Sequence, residues 1–454
     1  MENLIWINID SLRYDYTSLS DSHWETTPYL KSLADRGMSF ESCYSAGIKT
    51  PTSTASMLTA TYPMFTGMYG DAQKDMPVLD KQVTTIAEHL RESGFNTSGI
   101  SRNIWVSEKS QLDRGFDEFV WFGQSPRKII RKLSSKELLK YVSEFYSLST
   151  RFGTNASLYS TAPVVSNHLK SELKRLNKKQ EPFFLFAHYN EPHRPYLPPR
   201  GYFNQYLPDD LSASQVTEHS MWMHSNLYDI IANGKQDQVR EDVLSHLYAA
   251  EIKHTDDALR RIDDYIDFEN TIVIVTGDHG EHLGEFDLYG HQLLPSEETT
   301  NVPLIATGFP DSISSSSLVQ HIDIMETALQ ILDTPFEQSQ GVNLVSEQRD
   351  EAFTEWCGMI DVFKNHNSSF NNSDQYLSGL SQCIFKGRDR YLTNGIGEKL
   401  YRNNVQIDNV SSETIGSLKT KLDEYQTEFQ ADRESQFERS DTAKTRLQDL
   451  GYLE

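Results

Sequence analysis

Three short runs, almost wholly apolar and each stopping at a polar cluster, constrain this chain more than any other feature. Leu4–Ile9 ends at Asp10-Ser11, Phe183–Ala187 runs into His188 through His193, and Thr271–Val275 runs into Gly277-Asp278-His279. Short continuous apolar runs, as opposed to alternating ones, belong to strands buried on both faces. Such strands build a large, mostly parallel sheet sandwiched by helices, an α/β fold. Helical patterns fit between them: Pro28–Arg36, preceded by Thr27 and closed by Gly37, and Val83–Glu92, closed by Gly94. Open sheets of this kind bind ligands beyond the carboxyl ends of their strands, so the three polar clusters are expected on one rim.

With 454 residues, 37% of them hydrophobic, the chain can bury one large core and a smaller one. The α/β pattern holds to about residue 333, and we read 1–333 as one large domain carrying polar insertions at about 125–180 and 203–241. The first insertion contains the basic cluster Arg127 to Lys132. The second carries Met221, Trp222 and Met223, either as a lid over the rim or as surface helices packed on the sheet. Over 334–454 the pattern changes to strand-like pieces, Ala352–Trp356, Gln382–Lys386, Arg390–Leu392 and Lys399–Tyr401, with a turn at Asn394-Gly395 and a charged helical tail. These pieces predict a small C-terminal antiparallel sheet plus helix.

Lys and Arg number 42 against 65 Asp and Glu, and the resulting net charge of −23 repels polyanions and argues against nucleic acid as a partner. A salt-adapted cytoplasm is one reason for such a surface. Cys43, Cys357 and Cys383 are too scattered for a disulfide framework or a cysteine-built zinc site, and they read as reduced thiols. The opening Met1-Glu2-Asn3 lacks the charge and apolar length of a signal peptide, and no stretch reaches the ~18 apolar residues of a membrane span. A soluble, cytoplasmic protein is the expectation. Its oligomeric state is not legible.

Asp278-His279-Gly280-Glu281 puts a carboxylate and an imidazole side by side at a strand end, and Asp10 offers a second carboxylate at another. Mixed oxygen and nitrogen ligation suits one divalent ion (Mn, Zn, Ca or Mg) in an open site. A loop Asp capping a helix beside a satisfied His is the ordinary alternative for such a pair. Gly47 to Thr59 is dense in hydroxyls and precedes a helical pattern, so it supplies either a nucleophile close to an anion-binding helix start or a Ser/Thr-rich cap. Glu281 is expected to orient His279 or to cap a helix after it.

Taken in order, Asn8-Ile9-Asp10-Ser11-Leu12-Arg13, Thr27-Pro28-Tyr29-Leu30, Ala55-Ser56-Met57-Leu58-Thr59, Leu112-Asp113-Arg114-Gly115-Phe116-Asp117, Glu191-Pro192-His193, Asp278-His279-Gly280-Glu281 and Val302-Pro303-Leu304-Ile305 resemble the sulfatase branch of the alkaline-phosphatase superfamily. The resemblance implies metal ligands at Asp10, Asp278 and His279, a catalytic histidine at His193 and a substrate-contacting residue at His291. It departs from the family in two places. Ser11 breaks the usual double Asp, and Thr50 stands where sulfatases carry the Cys that becomes formylglycine, with Thr52 and Thr54 at the following Pro and Arg. No formylglycine is therefore expected. Thr50 would be both nucleophile and metal ligand, with Lys49, Arg102 and Asn103 as candidates for holding substrate oxygens.

A threonine ester must be released by attack on its central atom, a route familiar at phosphorus. The expected activity is hydrolysis or transfer on phosphate esters, phosphodiesters foremost. The expected substrate is a small anionic ester, free or linked to a glycan or lipid. The alternatives are a sulfuric ester hydrolase and a non-catalytic binding protein on the enzyme fold.

Overall fold

The computed structural model describes residues 1–69, 76–122, 161–206, 211–358, 360–370, 379–387, 389–394, 397–407 and 416–427. The basic cluster Arg127 to Lys132, most of the first insertion, Gly395 of the expected turn and the chain after 427 lie outside the described residues.

Among the described residues, the main sheet has seven strands in the order Met38–Phe40, Leu304–Thr307, Thr271–Gly277, Asn3–Ile9, Phe183–Tyr189, Asn96–Ser101 and Glu118–Trp121. All neighbours are parallel except Leu304–Thr307, which runs antiparallel to both of its partners. The three apolar runs form the centre of this sheet, buried on both faces. Ile5, Ile7, Val273, Val275, Leu185 and Ala187 face the core formed with helices Ala162–Leu176 and Glu241–Leu259. Leu4, Trp6, Ile272, Ile274, Phe184 and Phe186 face the core formed with helices Thr50–Thr59, Ile86–Glu92 and His321–Ile331. This two-sided burial explains why the strands read as continuous apolar runs.

Two helix boundaries differ from the sequence reading. The helix expected from Val83 starts at Ile86, because Thr85 caps it: the Thr85 hydroxyl accepts the Glu88 N–H at 3.1 Å and the Glu88 carboxylate accepts the Thr85 N–H at 2.9 Å. The first helix ends at Ala34, with Asp35 as its cap, and does not reach Arg36.

A five-stranded antiparallel sheet, Ala352–Gly358, Gly379–Lys386, Asp389–Thr393, Glu398–Arg402 and Val405–Gln406, follows in sequential order, with a helix over 416–427. Its first strand docks on the loop before Thr50. The Glu355 N–H donates to the Ala46 carbonyl at 2.9 Å, and the Thr354 hydroxyl to the Ser45 carbonyl at 2.6 Å. Buried Glu355 accepts from the Tyr69 hydroxyl at 2.9 Å and the Gln382 amide at 2.8 Å. Helix Ala213–Ala232, in the second insertion, buries Met223, Leu227 and Ile230 and leaves Met221 and Trp222 half-buried, and its Tyr228 ring packs edge-on to Phe363. None of the three cysteines is bonded to another, and no helix among the described residues is long and apolar enough to cross a membrane.

Candidate active site

Asp10 leaves the end of one central strand, and Asp278 and His279 leave the end of its neighbour, so the pairing of those strands brings the three side chains together. All three are buried, and one ligand atom of each lies within 4.8 Å of the others. His279 Nε2 is 3.8 Å from Asp10 Oδ1 and 3.7 Å from Asp278 Oδ2. Ser11, at φ 62°, turns the backbone so that its N–H donates to Asp278 Oδ1 at 3.0 Å, while its hydroxyl donates to Asp10 Oδ1 at 3.1 Å. A non-glycine residue in that left-handed region is strained and persists where surrounding contacts over-determine it. The His279 N–H also donates to Asp278 Oδ1, at 2.9 Å, which leaves Oδ2 buried without a hydrogen-bond partner.

The tautomer of His279 follows from its neighbours. Its Nδ1 lies 2.8 Å from the Gly280 carbonyl, which can only accept, so Nδ1 holds a hydrogen and Nε2 is the ring atom that faces the carboxylates. Gly280 makes this turn possible: a Cβ there would stand 2.0 Å from the Glu298 carbonyl oxygen.

Burial, and then the charge of Asp278 beside it, push the Asp10 carboxyl up to about 7. Burial acts the same way on Asp278, but there the His279 and His188 rings outweigh it and hold the carboxyl well below the usual range. Burial opposes the charged form of His279 too, yet Asp278 and Asp10 raise its pKa. Two buried carboxylates around one imidazole are short of positive charge. That deficit, the orphaned Asp278 oxygen and the mixed donor set fit one divalent ion.

Thr50 opens helix Thr50–Thr59, following Lys49 in extended backbone, with Pro51 suited to the first turn. It is buried, and its Oγ1 lies 3.3 Å from His279 Nε2. One turn on, the Ser53 hydroxyl donates to the Asp278 carbonyl at 2.6 Å and ties the helix start to the carboxylate loop.

On the other side of His279 stands a second group. The His291 ring centroid is 4.3 Å from that of His279 and 5.4 Å from that of His193. His291 donates from Nδ1 to Glu281 Oε1 at 3.0 Å, and burial, followed by the charge of His279, holds its pKa well below the ordinary value. Glu281 therefore orients His291, with Arg194 3.4 Å away, and neither orients His279 nor caps a helix as the sequence reading has it. The short helix Glu285–Asp287 that follows Glu281 starts from Gly284 and has no side-chain cap. His193 packs beside His291. Burial and the Arg194 guanidinium pull it down to about 4, and its Nδ1–H is given to the Arg194 carbonyl at 2.8 Å.

The three candidates for substrate oxygens are placed differently. Asn103 donates to Asp10 Oδ2 at 2.7 Å, Lys49 to the Cys357 carbonyl at 2.9 Å, and buried Arg102 to the Phe122 carbonyl at 3.2 Å. His282 is bonded at both ring nitrogens, to the Gly290 carbonyl at 3.1 Å and the Ser296 hydroxyl at 2.9 Å. Arg194 and His224 did not emerge from the sequence. Arg194 carried the signal of a base directly after His193. His224 sits on the second-insertion helix, and burial, then Arg194 and His193, pull it down to about 4, which places it near that group.

The profile of the Sulfatase family matches residues 2–334. An uncharacterised sulfatase, YidJ, of Escherichia coli K12 is 25% identical over 334 residues, covering 68% of this chain and 63% of that protein. An arylsulfatase of Clostridium perfringens is 24% identical over 340 residues, covering 66% of this chain and 67% of its own. The matched part thus spans about two thirds of these relatives' length. Among solved structures, the phosphonate monoester hydrolase of Agrobacterium radiobacter superposes with a TM-score of 0.70 at 16% identity, over 95% of this chain and 96% of its own. BT4656, solved with its substrate D-glucosamine-2-N,6-O-disulfate, gives 0.67 at 16% identity, over 96% of this chain and 100% of its own.

Proposed function

The chain belongs to the sulfatase family of the alkaline-phosphatase superfamily, and on that premise we propose that it hydrolyses phosphate esters, phosphodiesters foremost, with Thr50 as the nucleophile. One observation carries this reading. A buried threonine hydroxyl, at a helix start and 3.3 Å from His279 Nε2, stands where the family resemblance puts the residue that becomes formylglycine. A hydrated aldehyde can eliminate sulfate through its second hydroxyl, and threonine has only one. Its ester must be cleared by attack of water on the central atom, which phosphorus tolerates.

Asp10, Asp278 and His279, with Thr50 as a further ligand, would hold one divalent ion, which supplies charge neutralisation to the bound anion and acidity to a nearby hydroxyl. Thr50 Oγ1 gives up its hydrogen to solvent and forms the new bond to phosphorus as the bond to the departing ester oxygen breaks. The N–H groups at the start of its helix favour the anion's remaining oxygens. His193 is the candidate to move the proton at the leaving oxygen, and its Nε2 lone pair suits the later activation of water. His291, Asn103 and Lys49 remain the proposed substrate contacts, Asn103 and Lys49 after exchange of their present partners. We retain as proposals the division into a catalytic unit over 1–333 and a C-terminal unit over 334–454, and a cytoplasmic setting.

Hydrolysis of a sulfate ester is the second reading. It is favoured by the arylsulfatase named above and by the disulfated sugar bound to a structural neighbour. Protein loaded with Mn²⁺ and assayed on aryl phosphodiester, phosphomonoester and sulfate ester separates the two. We expect the phosphodiester to turn over fastest and Thr50→Ala to lose on the order of 10³-fold or more in kcat/KM. Sulfate turnover that survives Thr50→Ala overturns the proposal.

A further inference from the structure

Behind the carboxylates, on the sheet face turned toward helix Thr50–Thr59, the strand register sets four polar residues in one row: Thr276, Asn8, His188 and Ser101. Thr276 bonds to His321 Nε2 at 3.0 Å and Ser101 to the Asn103 carbonyl at 3.1 Å. The middle two are different. His188 and Asn8 are both buried at 0% exposure, and neither ring nitrogen of His188 and neither amide atom of Asn8 has a hydrogen-bond partner among the described residues. Folded proteins rarely leave such atoms unpaired, and two adjacent side chains with four between them mark unfinished business at this place. The nearest charged atom is Asp278 Oδ2, 3.7 Å from His188 Nε2 and itself without a hydrogen-bond partner. His279 Nε2 stands at the same 3.7 Å from that oxygen.

We propose that His188 is a positioning residue of the metal centre, holding the inner oxygen of Asp278 from behind while Asn8 sets which ring nitrogen carries the hydrogen. The inference rests on the reading of Asp10, Asp278 and His279 as ligands. Asp278 Oδ1 is already tied by two backbone N–H groups, from Ser11 and His279. A donor behind Oδ2 completes the set and fixes the carboxylate plane before an ion arrives. Neighbouring strands lie ~4.8 Å apart, and the register sets Asn8 beside His188, where its amide can choose the tautomer. Outer partners of this kind tune affinity without touching the ion.

The full chain, stripped of metal and titrated with Mn²⁺ by calorimetry, tests this. His188→Leu and His188→Gln are expected to bind Mn²⁺ ~10–100-fold more weakly than wild type, with Gln, which keeps a donor, the closer of the two. The melting temperature of metal-free His188→Leu should equal or exceed that of the metal-free wild type, because an unpaired polar group has been replaced by an apolar one. A histidine that only fills space cannot lower affinity while leaving the metal-free fold as stable. Asp278→Asn serves as the control. If it loses Mn²⁺ while both His188 variants bind within twofold of wild type, this inference fails alone. If Asp278→Asn binds as wild type does, the metal-centre reading fails first. Should His188→Leu not fold, the affinity of His188→Gln decides.

Discussion

A neutral imidazole whose Nδ1 hydrogen is committed to a carbonyl has one thing to offer a substrate, the lone pair on Nε2. His193 is in that state: burial and Arg194 hold it at about 4, and the Arg194 carbonyl takes its hydrogen. To protonate a leaving alkoxide it must first gain a proton on Nε2, and the negative charge of a docked ester is what can raise its pKa enough. The role is therefore bound to the substrate and is not a property of the free site. This makes the dependence on leaving group the informative measurement. His193→Asn should cost ~10²–10⁴-fold in kcat for an alkyl phosphodiester, whose alkoxide needs a proton. For a nitrophenyl ester, which leaves unaided, the loss should be far smaller. Equal losses on both esters would remove His193 from proton transfer and leave it a binding contact.

Elements were legible where local pattern alone determines them. The apolar runs became the central strands, and their polar ends met on one rim because adjacent parallel strands end together. Asp10, Asp278 and His279 were readable for that reason. What stayed illegible depends on contacts between distant elements, as with Glu281, which bonds His291 ten residues on, and Lys49, whose carbonyl partner lies 308 residues away. Helix Glu241–Leu259 holds another such contact. Its Glu251 is buried, accepts the Leu197 N–H at 2.8 Å from the loop that follows His193, and is pushed up to about 8 by burial and then by Glu191. A carboxyl at ~4.3 in the unfolded chain and near 8 when folded is protonated in the native state at neutral pH. The stability linked to that proton is complete below ~4.3 and drains away as pH rises through the folded value. Wild type should therefore lose a few kcal/mol more than Glu251→Gln between about pH 5 and pH 8.5 in urea unfolding. Parallel pH curves for the two proteins would show that Glu251 ionises normally.

At the scale of the whole molecule, a net charge of −23 works against two things the fold must do. It repels itself in the compact state, and it repels the anionic ester proposed as substrate. Inside the site a divalent ion, with Arg194 nearby, would reverse the sign over a few ångströms, but the approach path crosses the field of the whole surface. Salt acts on the long-range part: the Debye length falls from about 10 Å at 0.1 M to about 3 Å at 1 M. Raising KCl over that range should raise the melting temperature by several degrees, because mutual repulsion among surface carboxylates is screened while short buried pairs such as Arg349–Asp323, with Asp323 fully buried, are not. The same change should lower KM for an anionic phosphodiester relative to that for a zwitterionic one carrying a choline group, since only the former is repelled. A surface that merely keeps the protein soluble would show the first effect without the second. If KM rises with salt for the anionic ester alone, attraction within the site outweighs the global field, and the charge of Arg194 reaches the mouth.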